Sequence, residues 1–376
     1  MILGVNGIRL MGRRSGVGRA IEAILLSMRD IEHPFDDIRV YTPRPLNGSV
    51  NLPPGARNVV LPWRVPPGVW EQIALPWGHA DRGLLFCPSY VVPLLARCPT
   101  LLVHHGSYEG YPQAAQVFSW WRRTKARIIY SMSVRRATLV STVSRYSKGD
   151  IVRYYGGAPE KIHVIPDGVD TRLFHPIVDP RPLTDWKMRV LGQDAPFILY
   201  VGKPTKRRNL PNLMRAFARL KQQRGLPHKL LLIGTGLPGV SFEPLIAELG
   251  LAQDVVRVPY AGHDEIALAY NAADMLVYPS AYEGFGMPVL EAMACGTPVI
   301  ALDNTAFPEF AGDVAWLLPD GETDTLARAI EELLNDRARR ERMAREGPRR
   351  AAAYDWRLIT RRYVELMVSL IGRQER

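Results

Sequence analysis

DMLVYPSAYEGFGMPVLEAMACGTPVIAL, residues 274–302, is the stretch on which the fold turns. Its opening, 274–279, is an apolar run behind a single aspartate, and 298–302 is a second apolar run. Between them, 287–295 has helical composition, with Pro288 suited to a first turn and Gly296 to the position just past the last. Strand, glycine-bearing loop, helix and strand make one βαβ unit. Strands that are apolar throughout, rather than alternating, are those of a parallel sheet covered by helices on both faces.

The same alternation continues outward. Strands are predicted at 197–201, 229–233 and 255–258, with helices over 210–223, 242–249 and 265–272. The class is therefore α/β, with right-handed crossovers and ligands gathering at the C-terminal ends of the strands. The first half reads the same way, with strands near 2–5, 38–41, 84–87, 100–104, 138–143 and 162–165 and a helix over 19–28. Residues 41–77, rich in proline, read as mostly irregular with a short helix around 70–74. The expected division is a first domain over 1–175, a linker over 176–196 containing four prolines, and a second domain over 197–355. A last helix, 356–376, is expected to pack back on the first domain.

Composition narrows the function classes. The chain of 376 residues is 47% hydrophobic and 23% charged, a globular balance. No stretch approaches the ~18 uninterrupted apolar residues of a spanning helix, and the opening residues lack the basic flank of a signal peptide. Cys87, Cys98 and Cys295 are scattered without Cys-x-x-Cys spacing, which argues against a disulfide framework or zinc site and suits the cytoplasm. The net charge of +11 favours an anionic partner. Nucleic acid is not expected, because no nucleic-acid-binding motif accompanies that charge.

Two segments carry chemistry. In 282–298, Glu283 precedes the predicted helix and Glu291 lies in its second turn, while Gly284 and Gly286 let the backbone approach a ligand. The helix start offers free N–H groups to an anion. Two carboxylates beside a phosphate would repel it, so the glutamates suit hydroxyls on other parts of the same ligand. Read without a ligand, they are a solvated pair flanking an ordinary helix. The second segment, VGKPTKRRNL at 201–210, places Lys203, Lys206, Arg207 and Arg208 where a strand opens into a helix. Charge and helix dipole together suit a diphosphate there, and a solvated basic turn is the bland alternative.

In the first half, SGVGR at 15–19 fits a tight turn as well as a ligand loop, and it is no P-loop because no Gly-Lys-Ser/Thr follows. HHGSY at 104–108 follows a predicted strand, where a histidine serves either as a satisfied structural residue or as a site residue. Residues 116–136 hold Trp120, Trp121, Arg122, Arg123, Lys125, Arg127, Arg135 and Arg136 and no acidic residue. That mixture suits an anionic membrane surface, or a partly buried tryptophan pair on a basic helix.

The segment 282–298 resembles the E-x7-E signature of retaining glycosyltransferases of the GT-B fold, family four. The resemblance runs over nearly the whole chain and is weakest over 42–66. It implies GT-B architecture, two Rossmann-like domains facing a central cleft, with acceptor binding in the first and a nucleotide-sugar donor in the second. It implies that Glu291 holds the ribose and Glu283 the donor sugar, with Phe285, Gly286 and Met287 contacting the donor through their backbone. Lys203, Arg207 and Arg208 would face the diphosphate, Arg207-Arg208 standing where the family has Arg-Lys. Gly16 and Gly18 match a family loop facing the donor, and His104 a histidine near the donor sugar, with His105 in place of the usual aspartate.

The expected activity is therefore retaining transfer of a hexose, from GDP-mannose or UDP-glucose, to a glycan, lipid-linked or small-molecule acceptor. No metal or other cofactor is expected. Rival readings are a two-lobed ligand-binding protein without catalysis, and another enzyme of the same fold such as a phosphorylase or epimerase.

Overall fold

Whole-strand burial sets the architecture in the computed structural model, which describes residues 1–12, 16–47, 50–79, 83–106, 108–111, 114–115, 117–236 and 240–371. Phe197, Ile198, Leu199 and Tyr200 are all fully buried, as are Leu230–Leu232 and Met275–Tyr278. Side chains on both faces of these strands meet helices, so no strand face is left for solvent.

The first sheet has seven strands: β1 (Ile2–Asn6), β2 (Asp37–Thr42), β3 (Ala56–Val60), β4 (Leu84–Cys87), β5 (Thr100–His104), β6 (Leu139–Thr142) and β7 (Ile162–Val164). Their order is β3-β2-β1-β4-β5-β6-β7 and every pairing is parallel. The second sheet has six: β8 (Phe197–Val201), β9 (Lys229–Ile233), β10 (Val255–Val258), β11 (Met275–Tyr278), β12 (Val299–Leu302) and β13 (Trp316–Leu318). Their order, β10-β9-β8-β11-β12-β13, is also wholly parallel. Each sheet reverses direction of growth once, between β1 and β4 and between β8 and β11. Such reversals open crevices beyond the strand ends. Both sheets are Rossmann-like.

The chain forms two compact units, Met1–Gly168 with Trp356–Arg376, and Val169–Asp355. This corrects the expected division. Residues 176–196 are not a linker: the helix Arg181–Leu191 occupies them, buries Trp186 and belongs to the second unit. Two of the prolines read as breaks lie at its start, where a missing N–H costs nothing. The irregular reading of 41–77 also fails in part, since it contains β3 and the helices Pro67–Gln72 and Ala74–Gly78.

The final helix, Trp356–Ile371, is part of the first unit; residues 372–376 of its expected range lie outside the described residues. Ile359, Tyr363, Met367 and Leu370, spaced by four, four and three, form its buried face. Tyr363 packs its ring 5.8 Å from that of Phe86 in β4. Tyr363→Ala should therefore cost about 3–5 kcal/mol, the range for emptying a large aromatic site in a core. Urea denaturation of the full chain measures it.

Candidate functional site

The crevice of the second sheet lies where β8 and β11 run side by side, and both strands empty into charged loops. β8 continues into Gly202–Arg208 and β11 into Pro279–Gly286. The loops are joined by a backbone bond, Ala281 N–H donating to Arg207 O at 2.7 Å. Glu283 is buried there, and its Oε1 stands 2.6 Å from Arg207 Nη1 and 3.3 Å from Arg208 Nε. Tyr278 Oη at 3.0 Å and Ser280 Oγ at 2.9 Å donate to the same oxygen. Arg207 also donates to Tyr282 O, and the Arg208 guanidinium lies 5.3 Å from the centre of the Tyr278 ring.

Burial opposes the charge on Glu283, yet the two guanidiniums and the donors around it outweigh that penalty and hold its carboxyl below the usual glutamate value of 4.5. Arg208 answers in kind. Burial acts against its charge, but Glu283 and the nearby tyrosines keep its affinity for the proton above the ordinary arginine value. Gly202 makes room for this arrangement: its φ is +149°, and a Cβ there would fall 1.8 Å from Arg208 Nη1. Lys203 is exposed, and among the described residues its ammonium has no partner.

Beyond Glu283 the helix Met287–Ala294 begins at Gly286, whose φ is +109°. A Cβ at Gly286 would strike the Phe307 ring at 2.5 Å. Phe285 is buried, its ring stacked on Phe310 at 4.5 Å, which leaves its backbone rather than its side chain for a ligand. Among the described residues the amides of Phe285, Gly286 and Met287 have no hydrogen-bond partner, as expected where a helix begins. One turn on, Glu291 is 8% exposed and accepts a hydrogen bond from Tyr270 Oη at 3.0 Å. The second unit thus gathers Lys203, Arg207, Arg208, Glu283, Phe285, Gly286, Met287 and Glu291 around two adjacent strand ends.

The residues predicted in the first unit are arranged differently from expectation. Gly16 and Gly18 are not in a loop: the helix Gly16–Ser27 starts at the first of them and Gly18 is buried in its opening turn. Ser15 lies outside the described residues, as do Ser107 and Gln116. His104 ends β5 with 0% exposure, its ring enclosed by those of Tyr90, Tyr130 and Tyr155 at 5.1–5.3 Å. Burial, aided by His105, drives its pKa down to about 3, so the imidazole is neutral. Both of its ring nitrogens are buried without a hydrogen-bond partner among the described residues. His105 lies beside Asp167 instead, at 3.6 Å, with Nε2 3.2 Å from Pro88 O.

The basic helix of this unit runs Trp120–Arg136, capped by Ser119. Trp120 and Trp121 are 64% and 75% exposed, so they are not a partly buried pair. Ile128 and Met132 are exposed too. No helix among the described residues is long and apolar enough to cross a membrane, and none of those residues forms a group of three or more metal-ligating side chains.

Sequence reading missed Tyr278, Ser280 and Tyr270. Tyr278 and Tyr270 are indistinguishable from core residues in their apolar runs. Only the position of Ser280, just past a strand end, gave any signal.

Comparison with known proteins identifies the family and the fold. Residues 187–350 match the family Glycosyl transferases group 1, and residues 34–173 match Glycosyltransferase Family 4. The chain is 30% identical over 301 residues to an MMP alpha-(1->4)-mannosyltransferase of Mycolicibacterium hassiacum, covering 77% of this chain and 69% of that one. It is 29% identical over 236 residues to the O-antigen chain mannosyltransferase B of Escherichia coli, covering 61% of this chain and 60% of that one. In fold it is similar to Anabaena HepE, solved with UDP-glucose, with a TM-score of 0.78 at 20% identity over 98% of this chain and 99% of that one. The chain belongs to the group 1 glycosyl transferases, and its two Rossmann-like domains are those of the GT-B fold.

Removing the Arg208 guanidinium leaves Glu283 with Arg207 as its remaining counter-charge, so Arg208→Met should destabilise the chain by about 1.5–3 kcal/mol, the value of a contact to a charged group. The pH dependence has a definite sign. Because the folded carboxyl of Glu283 is depressed, its stabilisation is complete above the ordinary value of 4.5 and fades as pH falls toward the folded value. The stability difference between native protein and Glu283→Gln, followed by denaturation across pH 3–7, should shrink only at the acid end.

Proposed function

We propose that this glycosyl transferase moves a hexose, mannose or glucose, from a nucleoside diphosphate sugar to a hydroxyl of a glycan, glycolipid or small-molecule acceptor, with retained anomeric configuration. One observation carries the reading. A buried carboxylate, three cations and a run of unpartnered amides meet at two neighbouring strand ends, with a second carboxylate one helical turn away. A sugar nucleotide has the matching parts: hexose hydroxyls for Glu283, a diphosphate for Lys203, Arg207, Arg208 and the helix start, and a ribose for Glu291. The names of the two mannosyltransferase relatives support mannose, and the UDP-glucose complex of HepE supports a nucleoside diphosphate donor.

In this reading the cations and helix amides stabilise the charge that develops on the leaving diphosphate. The acceptor hydroxyl attacks on the face the diphosphate leaves, and its proton passes to a phosphate oxygen. Side chains meet the phosphate charge without a metal, and EDTA should leave turnover unchanged. Lys203→Ala removes an exposed cation with no structural partner and should slow turnover by about 10²-fold. Glu291→Ala should weaken donor binding by about 10-fold to 100-fold, the loss of a hydrogen bond to a charged group. Native kinetics in both variants would refute the site.

The reading extends to location. Three free cysteines fit the reducing cytoplasm. The exposed Trp120, Trp121, Ile128 and Met132, interleaved with Arg122, Lys125, Arg127, Arg135 and Arg136, fit the anionic inner face of a membrane, where lipid-linked acceptors reside. Flotation with phosphatidylglycerol vesicles at low salt should carry the protein upward, and Trp120→Ser with Trp121→Ser should release it. A native protein that stays at the bottom refutes the membrane contact.

A further inference from the structure

Non-glycine residues with a left-handed backbone, among those described, are Tyr90, Asn209 and Thr305. Asparagine tolerates that region. A β-branched residue does not, because its Cβ crowds the backbone carbonyl. Thr305, with φ of +49°, lies just behind β12, and such strain persists only where the surroundings hold it.

What holds it is a closed ring of hydrogen bonds between the loops that follow β11 and β12. The Glu283 amide donates to Thr305 Oγ1 at 3.3 Å. The Thr305 hydroxyl donates to Asn304 Oδ1 at 3.0 Å, and Asn304 Nδ2 donates to Ser280 O at 3.2 Å. Ser280 Oγ then donates to Glu283 Oε1 at 2.9 Å. The ring starts at the peptide of Glu283 and returns to its carboxylate. Arg207, Arg208 and the ring's Ser280 hydroxyl all meet the same carboxylate oxygen, Oε1, so the ring and the guanidiniums together fix it.

We propose that Thr305 is a positioning residue for sugar transfer: its hydroxyl, aimed by the left-handed turn, fixes where the Glu283 carboxylate stands. The inference rests on the reading that Glu283 meets the donor hexose. Valine at 305 keeps the branched shape and removes the hydroxyl, whereas serine keeps the hydroxyl.

The test uses the full chain with GDP-mannose and UDP-glucose as donors and GDP and UDP as bare nucleotides. In Thr305→Val the release of nucleotide from donor should slow by about tenfold, the value of one lost hydrogen bond. Affinity for the bare nucleotide should stay native, and Thr305→Ser should recover most of the lost rate. Amide exchange at Glu283, read by NMR, should speed up in Thr305→Val. Native turnover in that variant overturns the proposal, and so does a loss of nucleotide affinity as large as the loss of rate. Should the native protein take neither donor, the proposed function fails by itself. Exchange at Glu283 then still decides the clamp, and an unaltered rate in Thr305→Val refutes it.

Discussion

A carboxylate enclosed between two guanidiniums at the point where the second sheet changes direction is the constraint around which the second unit is arranged. Desolvating either sign of charge alone costs several kcal/mol, and pairing offsets this only when the geometry is good and remaining lone pairs are satisfied. Glu283 meets that condition through Arg207, Arg208, Tyr278 and Ser280. The arrangement demands that β8 and β11 be neighbours and that Gly202 lack a side chain, and the loop after β12 holds the Glu283 peptide through Thr305. Replacing a whole buried ion cluster by apolar residues is often neutral or stabilising, so stability alone does not account for it.

Within that frame the helix Met287–Ala294 gains its significance from what precedes it. Pro288 lacks an N–H, and Gly286 bends the chain so that Phe285 turns inward to Phe310. The Phe285 side chain is used for packing, and the amides of Phe285, Gly286 and Met287 are left without a hydrogen-bond partner among the described residues.

Much of this was legible before any coordinates. Uninterrupted apolar strands and helices between them identified the α/β class, and the spacing of Glu283, Gly286, Pro288 and Glu291 marked the loop-to-helix transition. Other features were hidden for physical reasons. Pro180 and Pro182 read as breakers, although proline at a helix start is favourable, and so 176–196 reads as a linker. β3 is a half-buried edge strand amid prolines, with too little apolar content to stand out. His104 and His105 are adjacent and both nearly buried, so nothing in the sequence distinguishes their surroundings. Thr305 carries a conformation that its own residue type disfavours, so no local rule points to it.

The first unit is discontinuous: its last helix comes from the far end of the chain, after the whole of the second unit. During synthesis the second unit has all its strands and helices before Trp356 emerges from the ribosome, whereas the first still lacks the face made by Ile359, Tyr363, Met367 and Leu370. The groove that receives that helix, Phe86 included, must wait uncovered while nearly two hundred later residues are added. The first unit therefore cannot complete its core until after the second has been synthesised, and its uncovered groove is the stage at which a chaperone would act.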